Sequence, residues 1–210
     1  MSQYKNIVIE GNIGAGKTTA ASMLSEKLNG RLILESFENN PFLEFFYKDQ
    51  ERYAFQVELF FLAERYHQLS KNLLGDIFNE YTVFDYIFTK SAIFSGITLN
   101  GNEKDLFNNL YHIMNRFMPK PDILIYLHQP IERVIEQINK RGRAYEQDIP
   151  EDYLKEVERS YFGYFKEELR FPIVILKTEE INNYNVETIQ SYIFDILSKD
   201  WRNGLSYYPD

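Results

Sequence analysis

Gly11-Asn12-Ile13-Gly14-Ala15-Gly16-Lys17-Thr18 follows directly on the apolar run Ile7-Val8-Ile9 and satisfies G-x-x-x-x-G-K-[ST], the pattern of a phosphate-binding loop between a strand and a helix. In such a loop the glycines let successive backbone N–H groups curl around phosphate oxygens. Lys17 reaches the β- and γ-phosphates, and the Thr18 hydroxyl can ligate Mg²⁺. The helix that follows adds the positive end of its dipole. The motif places a nucleotide polyphosphate at the first strand-to-helix turn.

Away from this loop, short apolar runs alternate with longer helical patterns. Asn6–Glu10, Arg31–Leu34, Thr82–Phe84, Ile123–Leu127 and Ile173–Leu176 read as five strands. Helices are predicted over Lys17–Leu28, Arg52–Leu74, Lys104–Phe117, Ile131–Lys140, Glu151–Leu169 and Val186–Leu197, the last capped by Asn185. Pro121 and Pro172 mark the entrances of the fourth and fifth strands. The alternation predicts an α/β fold: a P-loop NTPase-like, doubly wound, five-stranded parallel sheet with flanking helices. The tail Trp201–Asp210 carries no motif and is expected to pack loosely or sit at an edge.

The 210 residues, 44% of them hydrophobic, suffice for one α/β core, so residues 1–210 are read as a single domain. The chain has no cysteine, and its three histidines are scattered, which leaves Mg²⁺ brought in with the nucleotide as the expected metal. A net charge of −8 argues against nucleic-acid binding. The one dense basic cluster, Lys140-Arg141-Gly142-Arg143, suits a single polyphosphate instead. No secretion signal precedes the first strand and no stretch approaches the ~18 apolar residues of a membrane span, so a soluble, cytoplasmic protein is expected.

In doubly wound sheets the ligands sit at the C-terminal ends of the strands. After the second predicted strand comes Glu35, and after the third comes Asp85. A carboxylate beside a phosphate loop can ligate Mg²⁺ or take a proton from an attacking hydroxyl, and Glu35 and Asp85 could divide those roles. Arg141 and Arg143 flank a glycine in a connector, residues 141–149, which reads as a lid able to close two guanidinium forks onto transferring phosphate oxygens.

Taken in order, these segments resemble the deoxynucleoside kinases of the bacterial-type deoxycytidine, deoxyguanosine and deoxyadenosine kinase group. The resemblance runs from Gly11 to about Phe165. It rests on the phosphate loop extended to Thr19, the Glu35 segment with Asn40-Pro41-Phe42-Leu43, Phe46-Tyr47, and Glu51-Arg52-Tyr53-Ala54-Phe55. Farther on come Pro121-Asp122-Ile123-Leu124-Ile125-Tyr126-Leu127 and Arg141-Gly142-Arg143-Ala144-Tyr145-Glu146.

The resemblance implies ATP-dependent phosphorylation of a deoxyribonucleoside 5′-hydroxyl in nucleotide salvage, in a homodimer. The apolar run Leu59-Phe60-Phe61-Leu62 is compatible with such a dimer and equally with core packing. Glu35 looks like the general base, Tyr47 and Glu146 like the pair that holds the sugar 3′-hydroxyl, and Arg141 and Arg143 like the lid arginines.

Three positions depart from the family pattern. Ser36-Phe37 replace the usual Pro-Val after the base. Tyr86 replaces the arginine that follows the acid, Asp85, so that Lys90 or Arg65 would have to supply its charge. Glu58 stands where the family reads the base with glutamine, and Ser91 where it often has aspartate. Glu58, Leu62 and Arg65 share one helix face, whereas Gln56 points elsewhere.

An ionised Glu58 only accepts hydrogen bonds, and guanine offers two adjacent donors, so a purine and specifically guanine is favoured. A Glu58–Arg65 ion pair with the base read elsewhere is the other reading of that spacing. A nucleoside monophosphate kinase of the thymidylate kinase type is the runner-up, disfavoured because Glu35, Glu38 and Glu58 make the acceptor side acidic. A nucleotide-binding sensor with little turnover is the third reading, motivated by Tyr86.

Overall fold

β1 (Asn6–Gly11) lies inside the sheet, as its Ile7-Val8-Ile9 run requires: a strand covered on both faces has no polar side to offer. In the computed structural model, which describes residues 2–36, 40–72, 79–181 and 185–209, β1 pairs with β3 (Thr82–Phe84) on one edge and β4 (Ile123–His128) on the other. β2 (Arg31–Ile33) extends the sheet beyond β3, while β5 (Pro172–Lys177) and β6 (Gly204–Tyr208) extend it beyond β4. The order is β2-β3-β1-β4-β5-β6, with every pairing parallel.

Alternate residues of each strand feed opposite cores. Val8, Phe84, Leu124, Tyr126, Ile173 and Ile175 pack beneath α3 (Gln50–Asn72), α4 (Lys90–Thr98), α5 (Gly101–Asn115) and α7 (Glu151–Glu167). Ile7, Ile9, Val83, Ile125, Leu127 and Val174 pack on the other face with α1 (Lys17–Leu28) and α8 (Val186–Ser198). A smaller cluster of Val134, Ile138 and Leu154 joins α6 (Ile131–Arg141) to α7. The chain winds outward from β1 to β2, returns to β3, then crosses to β4. The crevice this reversal opens lies at the C-terminal end of β1, where the phosphate loop begins.

Two local expectations are met through identifiable bonds. Asp122 Oδ2 accepts the N–H groups of Lys5 and Asn6 at 2.8 Å each, which pins the entrance of β4 to β1. Asn185 caps α8 by accepting the Thr188 N–H at 2.8 Å.

Three other expectations are corrected. The sheet has six strands, not five, because the tail forms β6 on the edge of β5, with Ile173 opposite Leu205 and Leu176 opposite Tyr208. Its Gly-Leu-Ser-Tyr-Tyr sequence lacks the apolar run of a central strand, and an edge strand does not need one. Two helices were not anticipated, α2 (Leu43–Lys48) and α4. The first is short, and Ile93, Phe94, Gly96, Ile97 and Thr98 give α4 the composition of a strand, which tertiary packing overrides. Finally, α3 starts at Gln50. Its expected end at Leu74, the Phe37 departure and the acidic Glu38 fall outside the described residues.

Among the described residues no helix is long and apolar enough to cross a membrane. Deleting residues 204–210 should expose the β5 edge and unpack Leu205 and Tyr208 from the two cores. The expected loss is ~2 kcal/mol or more, read as a fall of about 4–8 °C in the thermal midpoint, with increased aggregation by light scattering.

Candidate active site

The phosphate loop is shaped before any ligand arrives. Gly11 passes so close to β4 that a Cβ would lie 2.9 Å from the Leu127 carbonyl oxygen. Gly14 has φ +81° and would place a Cβ 2.8 Å from Ile138 Cγ1, so any side chain there would be strained. Asn12 donates its side-chain amide to the Leu154 carbonyl at 2.9 Å and accepts the Ile13 N–H at 2.8 Å. Gln129 donates to the Ala15 carbonyl at 2.8 Å, and Lys17 Nζ donates to the Asn12 carbonyl at 2.9 Å.

Asp85, at the end of β3, joins this loop to the end of β2. Its Oδ2 accepts the Thr18 hydroxyl at 2.8 Å, and its Oδ1 accepts the Glu35 N–H at 2.7 Å. The Glu35 carboxylate is gripped by two cations: Arg65 Nε lies 2.8 Å from Oε1 and Lys90 Nζ 2.6 Å from Oε2. Desolvation alone would raise the Glu35 pKa, but Lys90 and Arg65 outweigh it and hold the carboxyl well below the usual carboxylate range. Desolvation in the cleft, then the neighbouring Lys90 ammonium, push Lys17 down to about 8.

Two cavities meet at these residues. One of about 480 Å³ extends from Gly14, Gly16, Lys17 and Thr19 to Arg141 and Arg143. A recess of about 110 Å³ runs between α2, α3 and α4, lined by Tyr47, Glu58, Phe61, Arg65, Phe94 and Glu146. Lys17, Thr18, Glu35 and Asp85 line both.

The residues singled out in the sequence are brought together here. Tyr47 stacks on Tyr145 with ring centroids 6.2 Å apart, and burial followed by the Glu146 charge keeps its hydroxyl neutral. Glu146 is buried and bonded to both Arg141 and Arg143, the second at 3.2 Å. Glu58 is buried on the recess side of α3, whereas Gln56 is exposed. The alternative Glu58–Arg65 ion pair does not form, since Arg65 directs its guanidinium to Glu35 and to Ser91 Oγ at 2.8 Å, and Glu58 accepts from Thr98 at 3.0 Å.

Tyr86 lies apart from both cavities. It is buried in the core, donating its hydroxyl to Gln68 at 2.8 Å. Lys90 and Arg65, the two cations considered for that charge, both bond Glu35. The apolar run Leu59–Leu62 turns Leu62 into the core and Phe61 into the recess. The exposed apolar stripe lies on α5 instead, at Leu106, Ile113 and, just past the helix, Phe117.

A model of the family described as deoxynucleoside kinase matches residues 7–199. The chain belongs to the deoxynucleoside kinase family. It is 38% identical over 158 residues to the deoxyguanosine kinase of Bacillus subtilis (strain 168), covering 74% of this chain and 75% of that relative. It is 29% identical over 199 residues to the deoxyadenosine/deoxycytidine kinase of the same organism, with 91% of each chain covered. The structure of deoxyadenosine kinase from M. mycoides with bound dATP superposes with a TM-score of 0.78 at 26% identity, over 92% of this chain and 98% of that one.

In this deoxynucleoside kinase the site also rests on residues that motif reading passed over. Glu10 is completely buried beneath the loop, accepting the N–H groups of Gly11 and Ile87 and, at 2.9 Å, the Tyr161 hydroxyl. Burial raises its pKa. A lone acid closing an apolar strand was the available signal, since a buried carboxyl must find donors. Thr98 and Gln137 gave no signal, because only folding brings them to the cleft.

Replacing Glu35 by alanine in this kinase leaves Lys90 and Arg65 buried without a counter-ion and should cost about 3 kcal/mol in denaturant unfolding. Because the folded Glu35 pKa is depressed, the wild-type stabilisation is present above the unfolded pKa of about 4.3 and is lost as pH falls towards the folded value. The variant should lack that acid-sensitive component.

Proposed function

We propose that this kinase transfers the γ-phosphoryl group of ATP-Mg²⁺ to the 5′-hydroxyl of a purine deoxyribonucleoside, with deoxyguanosine preferred. The observation that carries this reading is the meeting of the two cavities at Glu35, Asp85, Lys17 and Thr18. A donor polyphosphate in the larger and a nucleoside in the smaller would meet there, beneath Arg141 and Arg143, which also line both. The family membership and the dATP bound by the M. mycoides relative support nucleotide binding by this chain.

The Thr18 hydroxyl and the Asp85 carboxylate, 2.8 Å apart at the loop mouth, are hard oxygen donors that would hold a Mg²⁺ ion. Bound there, Mg²⁺ supplies charge neutralisation on the β- and γ-phosphates. Glu35 orients the 5′-hydroxyl and takes its proton late. Its depressed pKa makes it a weak base, which suffices for a loose transition state dominated by positioning and charge. Lys90 and Arg65 supply the charge that Tyr86 cannot, turning towards phosphoryl oxygen as Glu35 is neutralised.

Tyr47 and Glu146 hold the 3′-hydroxyl. Arg141 and Arg143 exchange Glu146 for donor phosphate oxygens, which frees that carboxylate for the sugar. Ionised Glu58 accepts the two donors of guanine. A cytoplasmic homodimer completes the proposal, with the α5 stripe as the surface that dimerisation would cover.

Incubation with ATP-Mg²⁺ and each deoxynucleoside or deoxynucleoside monophosphate should give monophosphate products fastest with deoxyguanosine and none above background in Lys17→Ala. Product from monophosphates alone would point to a monophosphate kinase. Tight nucleotide binding without product would point to a sensor. A Lys90→Met variant should lose roughly 100-fold in kcat with little change in the KM for ATP. Loss of the like charge should raise the Lys17 pKa, so the fall of kcat/KM for ATP above about pH 8 should move to higher pH.

A further inference from the structure

Glu58 lies among apolar side chains of the acceptor recess, 2% exposed, with Phe61, Phe94 and Val57 lining the same space. Its hydrogen bond among the described residues comes from Thr98, the last residue of α4. Thr98 Oγ1 lies 3.0 Å from Glu58 Oε1 and 3.1 Å from the Phe94 carbonyl oxygen. A hydroxyl has one proton, so Thr98 donates to one of these oxygens at a time.

When Glu58 is ionised, Thr98 donates to the carboxylate. When Glu58 is protonated, Thr98 can turn its proton to the Phe94 carbonyl and accept from the carboxylic acid, or keep donating to the oxygen that carries no proton. Rotation about one C–O bond satisfies either state, so neither leaves a buried polar group without a partner.

Charged and titratable groups face Glu58 from every neighbouring element. Arg65 lies on α3, Lys90 on α4 and Glu35 at the end of β2, with Tyr47 on α2 and Tyr153 on α7. The two cations that would favour ionisation are already bonded to Glu35, whose own charge opposes it, and burial keeps both tyrosines neutral. Burial therefore pushes Glu58 up to about 7, against the pull of Arg65 and the Thr98 hydrogen bond.

We propose that Glu58 and Thr98 form a two-state reader of the base. Ionised, Glu58 presents two adjacent acceptors that match the N1–H and 2-amino donors of guanine; protonated, it presents one donor and one acceptor that match adenine or cytosine. Thr98 is a positioning residue that sets the balance between the states. This inference rests on the reading that Glu58 faces the base, and it makes substrate choice depend on pH.

The test is competition between deoxyguanosine and deoxyadenosine in one reaction with ATP-Mg²⁺, followed by measurement of the two monophosphates. Their ratio equals the ratio of the two kcat/KM values times the acceptor ratio, so pH effects on the donor site and on transfer common to both acceptors cancel. The ratio of dGMP to dAMP should rise at least ~tenfold between about pH 6 and pH 8 as one proton leaves Glu58.

In Glu58→Gln the ratio should be independent of pH and shifted towards dAMP. In Thr98→Val the swing should persist with its midpoint at higher pH, because the ionised form loses a donor, while Thr98→Ser should restore the wild-type midpoint. A wild-type ratio flat with pH, alongside a Glu58→Gln ratio that differs, would overturn the switch and leave base reading by Glu58 standing. A Glu58→Gln ratio equal to wild type at every pH would overturn base reading itself. An unmoved midpoint in Thr98→Val would remove Thr98 from the reader.

Discussion

Asp85 ties together the ends of three strands. It takes the Thr18 hydroxyl with one oxygen and the Glu35 N–H with the other, so the loop after β1, the turn after β2 and the end of β3 share one carboxylate. A buried carboxylate without donors is costly, which makes this register the stable one. The bond also sets the distance between the donor loop and Glu35. From Asp85 the charges continue through Glu35 to Lys90 and Arg65, and burial, followed by Lys90, depresses Lys17. The cleft therefore holds cations close together against burial and mutual repulsion, an arrangement complementary to a polyphosphate.

That concentration of charge determines what Glu35 can do. A carboxylate held by an ammonium and a guanidinium is well oriented and weakly basic. Reactions needing early proton removal would be poorly served by it, whereas phosphoryl transfer depends mostly on alignment and on stabilising charge spread over phosphoryl oxygens. The placement of Tyr86 fits the same logic. Tyr86 turns into the core and bonds Gln68, while the two cations on α3 and α4 hold Glu35 from the acceptor side.

The lid shows a similar economy. Arg141 and Arg143 both satisfy Glu146, so the carboxylate proposed to hold the sugar and the guanidinium groups proposed to hold the donor neutralise one another in this state. The αL conformation of Gly142, φ +70°, lets α6 end between the two arginines and bring both onto one acid.

The local pattern of the chain determined a good deal. The phosphate loop, the buried central strands, the Asn185 cap and the helical face shared by Glu58 and Arg65 all follow from short-range chemistry: glycine conformations, apolar runs, a side-chain cap and a 3.6-residue period. What depends on neighbours far away in sequence was not legible there. β6 is a strand because β5 offers it an edge, and α4 is a helix because its strand-like residues have a core to pack into. Arg65 could have paired with Glu58, a neighbour on its own helix. Tertiary structure alone brought Glu35 and Ser91 close enough to take its guanidinium, since an ion pair forms where desolvated charges meet and not where spacing merely permits it.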